Sequence, residues 1–338
     1  MTDVEGILSA LSGLRLCILG DLLLDVYAWG RVDRISPEAP VPIVVHERTT
    51  YRASGVATAA QTALGLCSAV EVVTATGDDE DGRLAVSLLE QVGARVELVR
   101  VASRSTPRKT RVLAQGQHLL RLDRETTRDL DRDCAAAVVA RAVTAVASAN
   151  ALLISDYAKG VCTDAVVRAV IDAARSRNVP VVVDPKRSTP NRYAQATAIT
   201  PNLREMEEFA KHLGCAEQPL TVSAARLREA AQFDWVVVTR GEDGMTIVGR
   251  EETTDVPAYS TGVVDVSGAG DAAAATLALC LGAGVPVAEA ATVSSIVAGL
   301  VIRNIAHKCV TRDEVRAAAE DFGVATQPRQ AVPTPRRM

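Results

Sequence analysis

The stretch Asp265–Asp271, with the sequence DVSGAGD, is the most informative part of this chain, together with the alanine-rich run that follows it to Cys280. The small residues before the final Asp predict a turn that opens a helix, where backbone N–H groups and the helix dipole can hold an anion. Such N–H groups stabilise charge on a phosphoryl group, while a carboxylate at the position of Asp271 can accept a proton from an attacking hydroxyl. The alternative is a tight turn with an Asp that caps the helix.

The rest of the chain alternates short apolar runs with longer helical runs. The predicted strands include Leu14–Leu19, Val70–Thr74, Ala151–Ser155, Val179–Val183, Ala198–Thr200 and Trp235–Thr239. The predicted helices are Val56–Leu66, Asp81–Val92, Asp133–Ala147, Cys162–Arg177, Leu203–Leu213, Ala272–Leu281 and Val287–Arg303. This alternation predicts an α/β fold with a doubly wound, mainly parallel sheet. Ligands bind such sheets beyond the carboxyl ends of the strands.

Two segments predict extended structure outside this alternation. Tyr27–Tyr51 contains three prolines and then the β-branched run Ile43–Val45, which argues against a helix. Arg108–Asp123 alternates in character on both sides of Gly116, which indicates a hairpin-like pair of strands.

The composition excludes several classes of protein. The 338 residues are 48% hydrophobic with a formal net charge of −4, which fits one large domain, predicted over residues 1–325, and gives no signal for a nucleic-acid partner. The seven cysteines are scattered and never spaced as C-x-x-C. We therefore expect a cytoplasmic protein without a disulfide framework or a zinc site. We also expect no signal peptide, no membrane segment and a disordered tail over residues 326–338.

Two carboxylates, Asp21 and Asp25, follow the first predicted strand. Short polar side chains at a strand end can hold sugar hydroxyls. The alternative is that Asp21 caps the turn and that only Asp25, or neither, faces a ligand.

A basic cluster occupies the predicted hairpin and consists of Arg108, Lys109, Arg111 and Arg121. Guanidinium and ammonium groups suit a phosphate. For any one of these residues the alternative is a charged face in water.

Two further strand ends carry polar residues. Asn202 and Glu205 lie on one face of a predicted helix start, where an amide and a carboxylate can hold waters around a magnesium ion on nucleotide phosphates. The alternative is an ordinary helix N-terminus with Glu in its first turn.

The segment Thr239–Gly244 follows another predicted strand. It predicts either a loop against nucleotide phosphates or ribose, or a polar turn.

Together these features supply a carboxylate base, an anion hole, a site for metal-bound water and a basic arm, nearly all at strand ends. Phosphoryl transfer to a sugar hydroxyl requires this set. The chain contains no G-x-x-x-x-G-K-[ST] motif, which excludes a P-loop kinase.

On these residues the chain resembles the ribokinase family of carbohydrate kinases. The motifs that carry the resemblance keep the family's order across residues 14–318 and are Gly20–Asp25, Arg34–Pro42 (RISPEAPVP), Arg111–Leu113, Leu120–Asp123, Ser155–Gly160 (SDYAKG), Asp184–Lys186, Thr200–Leu203, Val238–Arg240 and Asp265–Asp271. The resemblance implies one α/β domain with a small β lid, built from segments at about 27–52 and 107–125, and a homodimer that forms through the lids. It also implies ATP and Mg²⁺ as cofactors and a small-molecule sugar phosphate as the partner.

The resemblance further implies a role for each candidate residue. Asp271 is the implied base, and the implied anion hole is formed by Gly268, Ala269 and Gly270. The residues implied to face the sugar phosphate are Asp25, Gly55, Thr58, Lys109, Arg111 and Asp156. The residues implied on the nucleotide side are Asp184, Lys186, Asn202, Glu205, Thr239, Arg240, Gly244 and Ser295. Asn202 and Glu205 are implied to hold the metal through water.

The strings RISPEAPVP and SDYAKG are typical of the branch of this family that phosphorylates the anomeric hydroxyl of D-glycero-β-D-manno-heptose 7-phosphate. The expected product is the 1,7-bisphosphate for synthesis of a nucleotide-activated heptose. Ser54 and Thr58 differ from the family's usual residues, which keeps open the same chemistry on another sugar or sugar phosphate. Further differences keep open a catalytically weak homologue that only binds a sugar phosphate; they are Ala272, Ser295, Arg303 and Ala306.

Overall fold

A computed structural model describes residues 2–260, 267–303 and 309–324. Its strands are β1 (Arg15–Gly20), β2 (Leu22–Ile35), β3 (Pro42–Gly55), β4 (Ala69–Gly77), β5 (Arg95–Val101), β6 (Arg108–Ala114), β7 (Gln117–Arg124), β8 (Ala151–Ser155), β9 (Val181–Asp184), β10 (Ala198–Ile199), β11 (Trp235–Thr239), β12 (Met245–Val248) and β13 (Thr253–Val256). Its α-helices are α1 (Val4–Leu11), α2 (Val56–Leu64), α3 (Glu80–Gln91), α4 (Arg132–Val146), α5 (Asp164–Arg175), α6 (Leu203–His212), α7 (Leu220–Ala231), α8 (Ala269–Gly282), α9 (Val287–Arg303) and α10 (Arg312–Asp321).

The large sheet has nine strands in the order β13-β12-β11-β10-β9-β8-β1-β4-β5. From β11 to β5 every neighbouring pair is parallel, and β12 and β13 add antiparallel strands at one edge. The predicted doubly wound, mainly parallel sheet is therefore confirmed.

Helices cover both faces of the large sheet and create two apolar cores. Along β1, Leu16 and Ile18 pack into the core beneath α1, α2, α3, α8, α9 and α10. Cys17 and Leu19 pack into the core beneath α4, α5, α6 and α7. Because successive side chains of a strand point to opposite faces, one short apolar run serves both cores.

A separate small sheet has the order β3-β2-β6-β7. The strands β2 and β3 form a long antiparallel hairpin, β6 runs parallel to β2, and β7 returns antiparallel to β6. These strands contain the two segments predicted to be extended and correspond to the predicted lid.

Some elements differ from the predictions. The helix after the glycine turn begins at Ala269, not at Ala272, because Gly268 completes the turn by itself at φ +82°. The helix-capping alternative for Asp271 is wrong, since the N-cap residue is Gly268. The elements β5, α1, α7 and α10 were not predicted. None of the helices in the described ranges is long and apolar enough to cross a bilayer.

Parts of several predictions lie outside the described residues. They concern Asp265, Val266, Ala306 and the tail over residues 326–338. The domain boundaries and the disorder of the tail stay predictions.

Candidate active site

The carboxyl ends of the central parallel strands meet along one edge of the large sheet. Gly20 of β1 pairs with Ser155 of β8, which pairs with Asp184 of β9. Polar residues that follow these strand ends are therefore brought together. A cavity of about 800 Å³ opens at this edge, which is a size typical of small-molecule sites.

Helix α8 presents its N-terminus to this cavity. Gly268 adopts a left-handed conformation that costs glycine no steric strain. The first N–H group with a helical partner is that of Ala272, which donates to the carbonyl of Gly268 at 3.0 Å. The N–H groups of Ala269 and Gly270 precede it, and both residues line the cavity. Among the described residues no side chain caps this helix, so its start can bind an anion.

Asp271 lies in the first turn of α8 and is only 7% exposed. The hydroxyl of Tyr157 donates to both of its carboxylate oxygens, at 2.7 and 2.8 Å. Loss of hydration raises the pKa of Asp271 to about 7, while the hydrogen bond from Tyr157 and the charge of Lys109 oppose the rise. A carboxylate that titrates near neutral pH is suited to general-base catalysis.

Asp184, at the end of β9, is a second carboxylate in the cavity. Loss of hydration and the charges of Asp271 and Glu205 raise its pKa well above the usual range, and Thr200 and Lys186 lower it. Three acidic side chains thus concentrate negative charge in one place, which favours a bound cation.

Asn202 and Glu205 form a capping box at the start of α6. The side-chain oxygen of Asn202 accepts from the Glu205 N–H at 3.0 Å, and Glu205 Oε2 accepts from the Asn202 N–H at 3.2 Å. The helix-capping alternative is therefore realised. Glu205 Oε1 accepts from Lys186 Nζ at 3.0 Å.

These oxygen donors also fit Mg²⁺ that is held largely by water and phosphates, because hard oxygen ligands suit that ion. Both Asn202 and Glu205 line the cavity. Over the described ranges no three His, Cys, Asp or Glu side chains converge as a direct metal cage. The residues present therefore fit water-mediated binding of the metal.

Lys109 reaches the cavity from the small sheet. Its Nζ lies 5.9 Å from the ring centre of Tyr157. Loss of hydration and neighbouring cations lower the pKa of Lys109, while Asp25 raises it. Within the described part of the chain no carboxylate lies within ion-pair distance of Lys109. By contrast, Arg111 donates to Asp25 Oδ1 at 2.7 Å.

Asp156 lines the cavity, but both of its oxygens already accept hydrogen bonds. Oδ1 accepts from the Ala158 N–H at 2.7 Å and Oδ2 accepts from the Tyr193 hydroxyl at 2.6 Å. Asp156 is 4% exposed, so its contacts mainly shape the loop after β8.

Asp21 lies beneath the same loop and is fully surrounded. It accepts hydrogen bonds from the backbone N–H groups of Tyr157, Lys159 and Val161, each at 3.0 Å. Asp21 therefore has a structural role, as the alternative expected, but the turn it caps is the one after β8 that carries Tyr157 and not the turn after its own strand.

Most of the residues singled out in the sequence line one cavity. They are Lys109, Asp156, Asp184, Lys186, Asn202, Glu205, Thr239, Gly244, Ala269, Gly270, Asp271 and Ser295. The Oγ of Ser295 donates to the carbonyl of Pro257 at 2.8 Å and thereby holds a segment of the cavity wall against α9.

The other candidates do not line the cavity; they are Asp25, Gly55, Thr58, Arg111, Arg240 and Gly268. Gly55 is the N-cap of α2 at φ +70°, where an added Cβ would meet the Asp21 carbonyl at 2.3 Å. Arg240 turns away to the carbonyl of Asp243 at 2.9 Å and to the carboxylate of Asp255 at 3.3 Å.

Tyr157 and Tyr259 line the cavity and were not among the predicted site residues. Tyr157 lies inside the SDYAKG string, two residues after the strand that ends at Ser155, so its position near the strand end was a usable signal. Tyr259 belongs to no motif, and its neighbours in sequence give no signal.

Comparison of the sequence with known protein families identifies the class of enzymes to which this chain belongs. Residues 14–307 match the pfkB family of carbohydrate kinases. The chain belongs to that family, and it is a sugar kinase.

Curated relatives cover nearly the whole chain. The Bifunctional protein HldE of Azorhizobium caulinodans is 41% identical over 323 residues, which is 94% of this chain and 67% of the relative. The Bifunctional protein HldE of Syntrophotalea carbinolica is 36% identical over 319 residues, which is 94% of this chain and 65% of the relative. The chain thus spans 65–67% of the length of these relatives.

Solved structures share the fold at low identity. Phosphofructokinase-2 from Escherichia coli in complex with fructose-6-phosphate has a TM-score of 0.73 at 17% identity, covering 92% of this chain and 99% of that chain. Arabidopsis thaliana ribokinase complexed with ribose and ATP has a TM-score of 0.70 at 18% identity, covering 90% and 98%. These likenesses establish a ribokinase-like fold.

Proposed function

We propose that this sugar kinase transfers the γ-phosphoryl group of ATP to the anomeric hydroxyl of D-glycero-β-D-manno-heptose 7-phosphate. The observation that carries the proposal is the placement of Lys109 in the same cavity as Asp271 and the start of α8. A base, an anion hole and a cation are what a kinase of a phosphorylated sugar needs at one site.

In the proposed reaction Asp271 accepts the proton of the sugar hydroxyl as its oxygen bonds to the γ-phosphorus of ATP and ADP leaves. The N–H groups of Ala269 and Gly270 bind the oxygens of the transferred group as charge develops on them. When bound, Mg²⁺ supplies positive charge to the nucleotide phosphates, and Asn202 and Glu205 would hold it through water. General-base catalysis of this kind contributes about 10²- to 10⁴-fold in rate.

The small sheet supports a phosphorylated sugar over a neutral one. Asp25 lies between Arg52 of β3 and Lys109 of β6 in the strand register, and Arg111 is two residues further along β6. Arg52 and Arg111 both stack on the ring of Tyr27, at 5.7 and 5.2 Å. The register also places Asp123 of β7 beside Lys109 and Arg121 beside Arg111. Four cations and two aspartates leave net positive charge on this face, which suits a phosphate on the acceptor.

The heptose assignment is supported by the strings RISPEAPVP and SDYAKG and by relatives named HldE. SDYAKG contributes Asp156 and Tyr157 directly to the cavity wall.

A homodimer through the small sheet is part of the proposal. On the face opposite Lys109, the register aligns Tyr51, Val26, Thr110 and Leu122, with Leu120 two residues along. Val26 is buried in the core, whereas Leu120 is 52% exposed and Leu122 is 58% exposed. The outer part of this face, on β7, therefore has apolar surface to bury against a second copy. Sedimentation of the protein with and without Leu122→Lys tests this part of the proposal.

The substrate is tested by ATP consumption with Mg²⁺ and a panel of acceptors: heptose 7-phosphate, sedoheptulose 7-phosphate, fructose 6-phosphate, ribose and no sugar. We expect turnover with heptose 7-phosphate to exceed that with every other acceptor. Faster turnover with another acceptor would contradict the heptose assignment and keep the mechanism, and no turnover in a protein that binds ATP would contradict both.

A further inference from the structure

We propose that Tyr157 is the positioning residue of Asp271, and that Asp21 in turn fixes Tyr157 by binding the loop that carries it. The Tyr157 hydroxyl favours the ionised form of the Asp271 carboxylate and fixes its orientation. This inference rests on the proposed function in one respect, since it takes Asp271 to be the base.

The contact between the two side chains is symmetric. One phenolic oxygen lies 2.7 Å from Oδ1 and 2.8 Å from Oδ2 of Asp271. The hydroxyl has a single proton to donate, whereas an ionised carboxylate has about four lone-pair sites. The proton is therefore shared across the inner side of the carboxylate, and outer lone pairs remain for a sugar hydroxyl. Protonation of Asp271 would turn one of these two acceptor oxygens into a hydroxyl group and weaken the contact with Tyr157. The contact therefore favours the ionised form.

Tyr157 stays a donor over the whole working pH range. Loss of hydration and the charges of Asp271, Asp184 and Asp25 raise the pKa of its hydroxyl well above its ordinary value. The other groups that face Asp271 are the ammonium of Lys109, which favours its ionised form, and the carboxylate of Asp184, which repels it. Among these neighbours Tyr157 makes the direct hydrogen bond.

The backbone around Tyr157 is held as firmly as its hydroxyl. Asp21, 1% exposed, accepts three N–H groups from this short loop, including that of Tyr157 itself at 3.0 Å. Asp156 closes the next turn by accepting from Ala158, which has the left-handed φ of +55°. These contacts fix the position at which the Tyr157 ring enters the cavity. The role of Asp21 is therefore to hold the loop in place and not to bind a ligand.

The test is a titration of the Asp271 carboxyl carbon by ¹³C NMR in metal-free and sugar-free protein labelled at aspartate, with the resonance assigned by its loss in Asp271→Asn. Tyr157→Phe removes only the hydroxyl. We expect the Asp271 midpoint to rise by about one to two pH units, because the variant loses the hydrogen bond that lowers the pKa of this carboxyl group. The acid limb of kcat/KM should move in the same direction.

Tyr193→Phe is the matched control, because Tyr193 is a buried tyrosine that donates to a different carboxylate, that of Asp156, at 2.6 Å. We expect it to leave the Asp271 midpoint where the wild-type protein has it. Asp21→Asn is a second variant that loosens the loop without touching the hydroxyl, and it should raise the midpoint by a smaller amount.

An unchanged midpoint in Tyr157→Phe, or equal shifts in Tyr157→Phe and Tyr193→Phe, would overturn the inference. If Tyr157→Phe fails to fold, an unchanged midpoint in Asp21→Asn overturns it instead. The titration needs no turnover, so it decides the role of Tyr157 even if the wild-type protein phosphorylates none of the acceptors, which would overturn the proposed function alone.

Discussion

Asp271 and Asp184 line one cavity, where loss of hydration and then the charge of Asp271 raise the pKa of Asp184 well above its usual range. Asp271 lies in the first turn of α8 and Asp184 is the last residue of β9, and the fold brings these two positions together. When both carboxylates are ionised, as at alkaline pH, they repel each other. The pair therefore favours binding of a cation or a proton.

Asp271→Asn should reduce turnover by about 10²- to 10⁴-fold, because the variant cannot accept the proton. Sugar binding should persist, and isothermal titration with the acceptor checks this. Loss of binding in step with turnover would show that Asp271 acts as a ligand for the sugar rather than as a base.

The same variant should be more stable than the wild-type protein at pH 8. The folded-state pKa of Asp271, about 7, lies above the ordinary carboxyl value of about 3.9. Ionisation therefore costs the folded state stability as the pH rises between these values, and the cost persists above pH 7. Urea denaturation should give Asp271→Asn a gain of about 1–3 kcal/mol at pH 8 and a smaller gain at pH 5. Equal gains at the two pH values would contradict this.

The wild-type pH profile follows from the same group. We expect kcat/KM to rise with pH through an acid limb near pH 7, where Asp271 loses its proton. A profile that is already flat from pH 5 upward would mean that the base titrates as an ordinary carboxylate.

Lys109→Met should raise the KM for a sugar phosphate about 10- to 100-fold, because it removes a charge-assisted contact and keeps the length of the side chain. Arg121→Met is the control, since Arg121 is 52% exposed and pairs with Asp123 at 2.9 Å. Initial rates at varied acceptor concentration measure both. Equal effects in the two variants would mean that only the overall charge of the small sheet matters.

Asp21→Asn should lower the free energy of unfolding by about 1–3 kcal/mol, because an amide cannot accept all three buried N–H groups of the loop after β8. The exposed Asp123→Asn should stay within about 0.5 kcal/mol of the wild-type protein. Urea denaturation compares the two, and similar small losses would show that the loop does not depend on Asp21.

Local patterns were sufficient to predict most of the large sheet. Buried parallel strands such as Ala151–Ser155 are continuous apolar runs that end in polar residues. The strand β5 was missed because Arg95, Glu97 and Arg100 interrupt its apolar residues at the edge of the sheet. Helix α10 was missed because most of its residues are charged or alanine, and only Val315, Ala318 and Ala319 are buried.

The parts of the candidate site whose residues lie close together in the sequence could be predicted. The start of α8 and the pair Asn202 and Glu205 each lie within one short motif, so spacing alone placed them on a helix start. The contact between Tyr157 and Asp271 joins residues 114 positions apart, and only the fold reveals it. For the same reason Asp21 was grouped with Asp25, although Asp21 points beneath the loop after β8 and Asp25 pairs with Arg111.

In the proposed reaction Asp271 and the start of α8 direct transfer of a phosphoryl group to the anomeric hydroxyl of a sugar phosphate. ³¹P NMR of a reaction with ATP, Mg²⁺ and heptose 7-phosphate measures this transfer. We expect a new phosphate resonance coupled to the anomeric proton, with the original 7-phosphate unchanged, and no such resonance with Asp271→Asn. Release of ADP without a new sugar phosphate, or a phosphate on another hydroxyl, would contradict it.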